Sequence, residues 1–248
     1  MNEQRNGAQN YFSWERQITK LIQMNSAKKI FREQTLHSSR IEIGAQIFNS
    51  NLFYLITASD NSEKILEHSQ FVANYALLLT TALGIEDKNF LADIERGALL
   101  HDIGKIGVPE PILRKVGPLS AREKEIIKDH PLLGYEMIGS FDFLKKAAQI
   151  VLFHHEHYNG NGYPYGLAGE EIPLEARIFA LADTLDAYTS DRSYRQGKSF
   201  EEALNEIKKY SGSQFDPLIV DVFVSIPEKK WLETKLETQI SRRLPAIH

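Results

Sequence analysis

The stretch DFLKKAAQIVLFHHEHYNGNGYP, residues 142–164, decides how this chain folds. Leu144, Ala147, Ala148 and Val151 recur at three- and four-residue spacing, the period of a helix with one apolar face. Continued by a few residues, that period sets His154 and His155 at the helix end, beside the buried face. A turn rich in Asn and Gly follows at once. Histidines crowded between a packed core and a pliable loop suit a metal that must face an open cleft, with the loop wrapping the rim.

Outward in both directions the same period returns. Asp60 to Gly84 carry Ile65, Val72, Tyr75, Ala76, Leu79 and Leu83, with His68 on that inward face, Asp60 to Ser62 as caps and Gly84 as a stop. Phe90, Ile94, Gly97 and Ala98 form a second stripe that ends at His101. Ser120 and Glu123 make a capping box for a helix that runs to His130, where Pro131 can begin the next. Pro173 to Ser190 reads as helix, Ser199 with Glu202 is a second capping box, and Asp216 before Pro217 is an N-cap. No period-two run of useful length occurs, so an all-α, multi-helix bundle is predicted. Residues 1–50 differ: Tyr11, Trp14, Ile18, Leu21 and Ile22 give one amphipathic helix before apolar density falls. They are expected to form an N-terminal helical extension with a regulatory or dimerising role, in contact with a second copy or a signalling partner. A core domain over 51–226 and a C-terminal tail over 227–248 complete the expected organisation.

Composition limits the chemistry. The 248 residues are 42% hydrophobic and 25% charged, ordinary for a globular protein. A net charge of −4 gives no general field for polymeric nucleic acid or an anionic membrane, so an anionic ligand needs local positive charge. There is no cysteine, which excludes disulfides and thiolate metal sites. The polar start MNEQRNGAQN lacks the apolar centre of a signal peptide, and ALLLTTALGI is too short to cross a bilayer, so a cytoplasmic protein without membrane insertion is expected.

Five of the eight histidines, His68, His101, His130, His154 and His155, fall on inward faces or helix ends. One inward histidine is ordinarily a satisfied core residue. Five neutral rings would each need a hydrogen-bond partner, whereas one or two shared metal ions satisfy them together. Asp102, next to His101 at a helix end, has two oxygens and can bridge two cations. His68 and Asp183 can complete one site, and His130, His154 and His155 the other. Nitrogen and oxygen donors of this kind suit iron, manganese, zinc or nickel.

HDIGKIGVP at 101–109, HPLLGYEMI at 130–138, HHEHYNGNGYP at 154–164, IPLEARIFALADTLDAYTSDRSYR at 172–195 and GSQFDP at 212–217 together resemble the HD-GYP family, a branch of the HD phosphohydrolases. The likeness covers about Asn51 to Val224. It implies a helical bundle of the HD type with a metal centre in a cleft, and hydrolysis of cyclic di-GMP to pGpG, or on to GMP, in bacterial second-messenger signalling. His68, His101, Asp102, His130, His154, His155 and Asp183 match the family's metal-ligand positions. Lys105 matches the lysine that approaches the substrate phosphate, and Arg192 and Arg195 match basic residues near the substrate. Tyr163 belongs to the GYP signature and either stacks on a guanine or packs the loop down. Two alternatives share the motifs: a catalytically weak module that binds cyclic di-GMP or a partner protein as a receptor, and a phosphodiesterase for another cyclic dinucleotide such as cyclic GMP-AMP.

Two departures from the family pattern bear on the site. Members with three metals have a glutamate one helical turn before the first histidine, where this chain has Lys64, so two divalent ions are expected, iron or manganese first and zinc or nickel second. Phe71 stands where many members have arginine. Glu156 is expected either to orient a histidine or to face solvent, and Arg177 to be a buried ion-pair partner on the helix that holds Asp183 and Asp186.

Overall fold

A computed structural model describes residues 62–191 and 196–243, with side chains from residue 66 to residue 241 outside the gap. The N-terminal extension, Arg192 and Arg195 lie outside the described residues, and so does the side chain of Lys64. Among the described residues there are α-helices and short 3-10 turns but no strand, only two isolated bridges. The all-α expectation therefore holds.

The chain divides into two compact units. One comprises Met1–Ser62 and Ile106–Ser120, and the other Glu63–Lys105 with Ala121–His248. In order, the helices are α1 (Ser62–Ala82), α2 (Lys88–Leu100), α3 (Glu110–Leu113), α4 (Ala121–Lys128), α5 (His130–Ile138), α6 (Lys145–Phe153), α7 (Leu174–Thr189), α8 (Phe200–Lys209), α9 (Pro217–Ser225) and α10 (Glu228–Arg243). Among the described residues, α3 lies in the first unit.

Local signals set the helix starts in the second unit. The Asp87 carboxylate accepts from the Phe90 N–H at 2.8 Å to cap α2. Ser199 and Glu202 form the reciprocal capping box of α8, and Asp216 caps α9 with Pro217 at its first position. In the core, α6 packs between α2 and α5 and also against α7, which in turn carries α8 and α9. Val72, Tyr75, Ala76 and Leu79 of α1 are buried, as the three- and four-residue period requires, and they join Ile178, Phe179, Leu181 and Leu185 of α7. Phe71 belongs to this core too, stacked on Tyr75 with ring centroids 6.5 Å apart.

Within the segment read from sequence as a tail, 227–248, the residues Glu228–Arg243 form the helix α10. Its Trp231 is 1% exposed, with Tyr75, Phe200 and Phe223 against its ring. Asn74 donates to the Thr238 hydroxyl at 2.7 Å and Lys235 to the Thr189 carbonyl at 3.0 Å, fastening α10 to α1 and to the end of α7. An alternating charged sequence hid one core-facing edge. Among the described residues, no helix is long and apolar enough to cross a membrane.

Candidate metal centre

Three histidines stand where helices end, and that placement settles which nitrogen each presents. The last carbonyls of a helix have no intrahelical partner. His101, the C-cap of α2, donates from Nδ1 to the Ala98 carbonyl at 2.8 Å. His130, just past α4, donates to Ile127 at 2.7 Å, and His154, the C-cap of α6, to Val151 at 2.9 Å. A carbonyl only accepts, so each Nδ1 carries the hydrogen and each Nε2 is left for the interior of the site.

The Nε2 atoms of His130 and His154 are 3.2 Å apart. Two neutral rings so arranged would oppose lone pair to lone pair, so a proton or a metal cation belongs between them. Burial, with His155, His101 and His130 nearby, holds the His154 imidazole well below its usual range, and the proton is disfavoured. The donor set thus fits a metal.

Two groups of donors result. Ligand atoms of His130, His154 and His155 lie within 4.8 Å of one another, and so do those of His68, His101 and Asp183. Asp102 touches both groups: Oδ2 is 3.3 Å from His101 Nε2 and Oδ1 is 3.4 Å from His130 Nε2. The backbone explains how Asp102 reaches them. After α2 the chain tightens into the 3-10 turn Ile103–Gly107, and a Cβ on Gly104 would lie 1.9 Å from the His130 carbonyl oxygen. Only glycine lets that turn press against the start of α5.

The site is sealed on one side and open on the other. His101, His130 and His154 are buried, whereas Asp183 is 26% and Lys105 is 40% exposed. Lys105 Nζ lies 2.5 Å from Asp102 Oδ2. Burial alone would raise the Asp102 carboxyl, but the neighbouring Lys105 ammonium, the largest opposing influence, helps hold it well below the carboxylate range. Burial would likewise raise Asp183, and hydrogen bonding to His68 brings it down. Burial, then His130, pushes the His155 imidazole down to about 3. His68 is the opposite case: burial would lower it, yet hydrogen bonds to Asp183 and Asp186 push it up to about 10.

The Asn- and Gly-rich loop closes over His155. Tyr163 stacks on that imidazole, with centroids 4.7 Å apart and planes at 22°, and its N–H donates to the His155 carbonyl at 3.1 Å. Lys128 Nζ is 5.8 Å from the centre of the Tyr163 ring. A Cβ on Gly162 would meet the His157 nitrogen at 2.3 Å, so glycine is required for the loop to fold back this closely. Asn159 Oδ1 accepts from the Asn161 N–H at 3.1 Å, a turn that an aspartate would also make.

Sequence reasoning missed two buried carboxylates. Glu156 neither orients a histidine nor faces solvent. It is 2% exposed and accepts from the N–H groups of Tyr165 at 2.7 Å and of Gly166 and Leu167 at 3.1 Å, tying down the loop that carries Tyr163. Asp186 accepts from His68 Nδ1 at 2.6 Å and from the Ser190 hydroxyl at 2.7 Å. Its signal was its position three residues after Asp183, on the same face of α7. Arg177, expected to be a buried ion-pair partner, pairs with Asp216 and donates to the Ile172 carbonyl at 2.9 Å.

Fold and site together define a helical bundle that gathers two His/Asp donor groups around one shared carboxylate. The HD domain model matches residues 55–219. The chain belongs to the HD domain family, and its motifs resemble the HD-GYP branch. It is 41% identical over 155 residues, 62% of its own length, to the cyclic di-GMP phosphodiesterase response regulator RpfG of Xanthomonas campestris pv. campestris, covering 41% of that protein. It is 36% identical over 197 residues to the cyclic di-GMP phosphodiesterase PA4108 of Pseudomonas aeruginosa, covering 77% of this chain and 47% of that one. The crystal structure of a cyclic GMP-AMP specific phosphodiesterase of Vibrio cholerae superposes with a TM-score of 0.51 at 25% identity, over 72% of this chain and 49% of that one. This chain spans less than half the length of each of these three proteins.

Proposed function

We propose that the protein is a metal-dependent phosphodiesterase that hydrolyses cyclic di-GMP to pGpG, at a centre for two divalent ions. The observation that carries this reading is the pair of opposed Nε2 atoms of His130 and His154, each fixed by a carbonyl behind it. It is supported by the relatives named as cyclic di-GMP phosphodiesterases. His68, His101 and Asp183 would hold one ion and His130, His154 and His155 the other, with the Asp102 carboxylate, which approaches both groups, available to each. When bound, the ions polarise the phosphodiester and lower the pKa of water at the site. Iron or manganese is the first assignment, with zinc or nickel second.

The chain's own groups do the rest. Lys105, charged and partly exposed beside Asp102, binds a non-bridging phosphate oxygen and stabilises charge that builds there during cleavage. Tyr163 holds the plane of His155 and offers an aromatic edge at the site's rim. Arg192 and Arg195 add positive charge for the second phosphate. Lys64, one helical turn before His68 in sequence, repels a third ion and limits the count to two.

Cyclic GMP-AMP is the second substrate to consider, favoured by the likeness to the V. cholerae enzyme. The test is anaerobic purification, then incubation with each cyclic dinucleotide and identification of products. Conversion of cyclic di-GMP to pGpG is expected, with slow further cleavage to GMP. Binding of cyclic di-GMP without turnover in metal-loaded protein would make the chain a receptor.

A further inference from the structure

His68 is held differently from its partners. His101, His130 and His154 rest their Nδ1 on carbonyls left free where helices end. His68 lies inside α1, where the helix's own ladder uses the carbonyls. A histidine at such a position needs a side chain to fix its tautomer, and α7 supplies one. Asp186 Oδ2 lies 2.6 Å from His68 Nδ1 while Asp183 Oδ1, one helical turn away, lies 3.1 Å from His68 Nε2. Asp186 is itself 2% exposed, and the Ser190 hydroxyl at 2.7 Å occupies its other oxygen. Ser190 thus holds one oxygen of the carboxylate, and the other faces the His68 ring.

We infer that Asp186 is a positioning residue that holds His68 with Nε2 toward Asp183 and His101, and thereby sets the cation affinity of that donor group alone. A carboxylate acceptor polarises an imidazole more than a carbonyl does, and makes the opposite nitrogen a stronger ligand. The other group, whose His130 and His154 are carbonyl-held, lacks this tuning. Asp186 thus gives the two halves of the centre different affinities. The inference rests on the proposed two-ion site.

The test is titration of chelated, intact protein with Mn²⁺, followed by calorimetry and paramagnetic resonance, for wild type, Asp186→Asn, Ser190→Ala and His68→Ala. Asp186→Asn should weaken one of two ions by about 10–100-fold, the range for carboxylates behind ligand histidines, and leave the other unchanged. His68→Ala should affect the same ion, and Ser190→Ala should weaken it by less. A residue with a merely structural role would lower the melting temperature without moving one affinity. Wild-type affinity for both ions in Asp186→Asn, or equal weakening of both, overturns the inference while leaving the two-ion site intact. If Asp186→Asn does not fold, an unchanged Ser190→Ala titration overturns it. Failure of the wild type to bind Mn²⁺ would instead remove the proposed site itself.

Discussion

Replacing Asp102 by alanine should strip both ions and abolish hydrolysis. Its two oxygens approach His101 and His130, members of different donor groups, to 3.3 and 3.4 Å. At a separation of about 4 Å and an effective dielectric of ~20, one carboxylate charge stabilises a unit positive charge by about 4 kcal/mol. That corresponds to roughly 10³-fold in the dissociation constant, and the loss applies at both positions. The substitution should leave the fold in place. Lys105, the partner left behind, is 40% exposed and regains water, so the loss of this ion pair should cost at most about 1 kcal/mol. Metal content by atomic emission after gel filtration, hydrolysis by product chromatography and a thermal melt separate these effects. A folded variant that keeps two ions per chain and turns over near the wild-type rate would refute the bridging role.

Lys105→Ala should keep wild-type metal content and lose about 100-fold or more in kcat/KM, because it removes an electrostatic stabiliser of the phosphate and no ligand; metal loss in that variant would make the lysine structural. In chelated protein, stability should peak near neutral pH. His68, raised to about 10 from 6.5, contributes stability that is complete below about pH 6.5 and lost as pH rises through 10. His155, lowered to about 3, is folded as the neutral ring, so its contribution is present above about pH 6.5 and falls as pH drops toward 3. Urea midpoints at about pH 4.5, 6.5 and 9.5 check both signs, and a midpoint that rises steadily across that range would contradict them. Trp231→Ala should destabilise by about 3–5 kcal/mol in urea unfolding, since the indole is enclosed by Tyr75, Phe200 and Phe223; a cost under about 1 kcal/mol would mean that α10 is dispensable.

What could be read from the sequence was what repeats locally. The period of α1, α2, α6 and α7, the capping box of α8 and the Asp-Pro start of α9 each depend on residues within a few positions. The donor residues shared that advantage, because inward faces and helix ends follow from the period, and the structure brings His68, His101, Asp102, His130, His154, His155 and Asp183 together. The carboxylates behind them were hidden for the opposite reason. Asp186 meets His68 across 118 positions, and Glu156 binds three backbone N–H groups, which have no side-chain signature at all. Trp231 was obscured by its helix, where Lys and Glu alternate around one buried edge. The partner of Arg177 depended on how α7 and α9 meet, which no local pattern encodes.

Anomalous diffraction from crystals loaded anaerobically with manganese would locate the ions directly. Two peaks per chain are expected, one against His68, His101 and Asp183, the other against His130, His154 and His155, with Asp102 within reach of both. Peaks absent from these residues would contradict this expectation, and a third peak beside Lys64 would overturn the two-ion count.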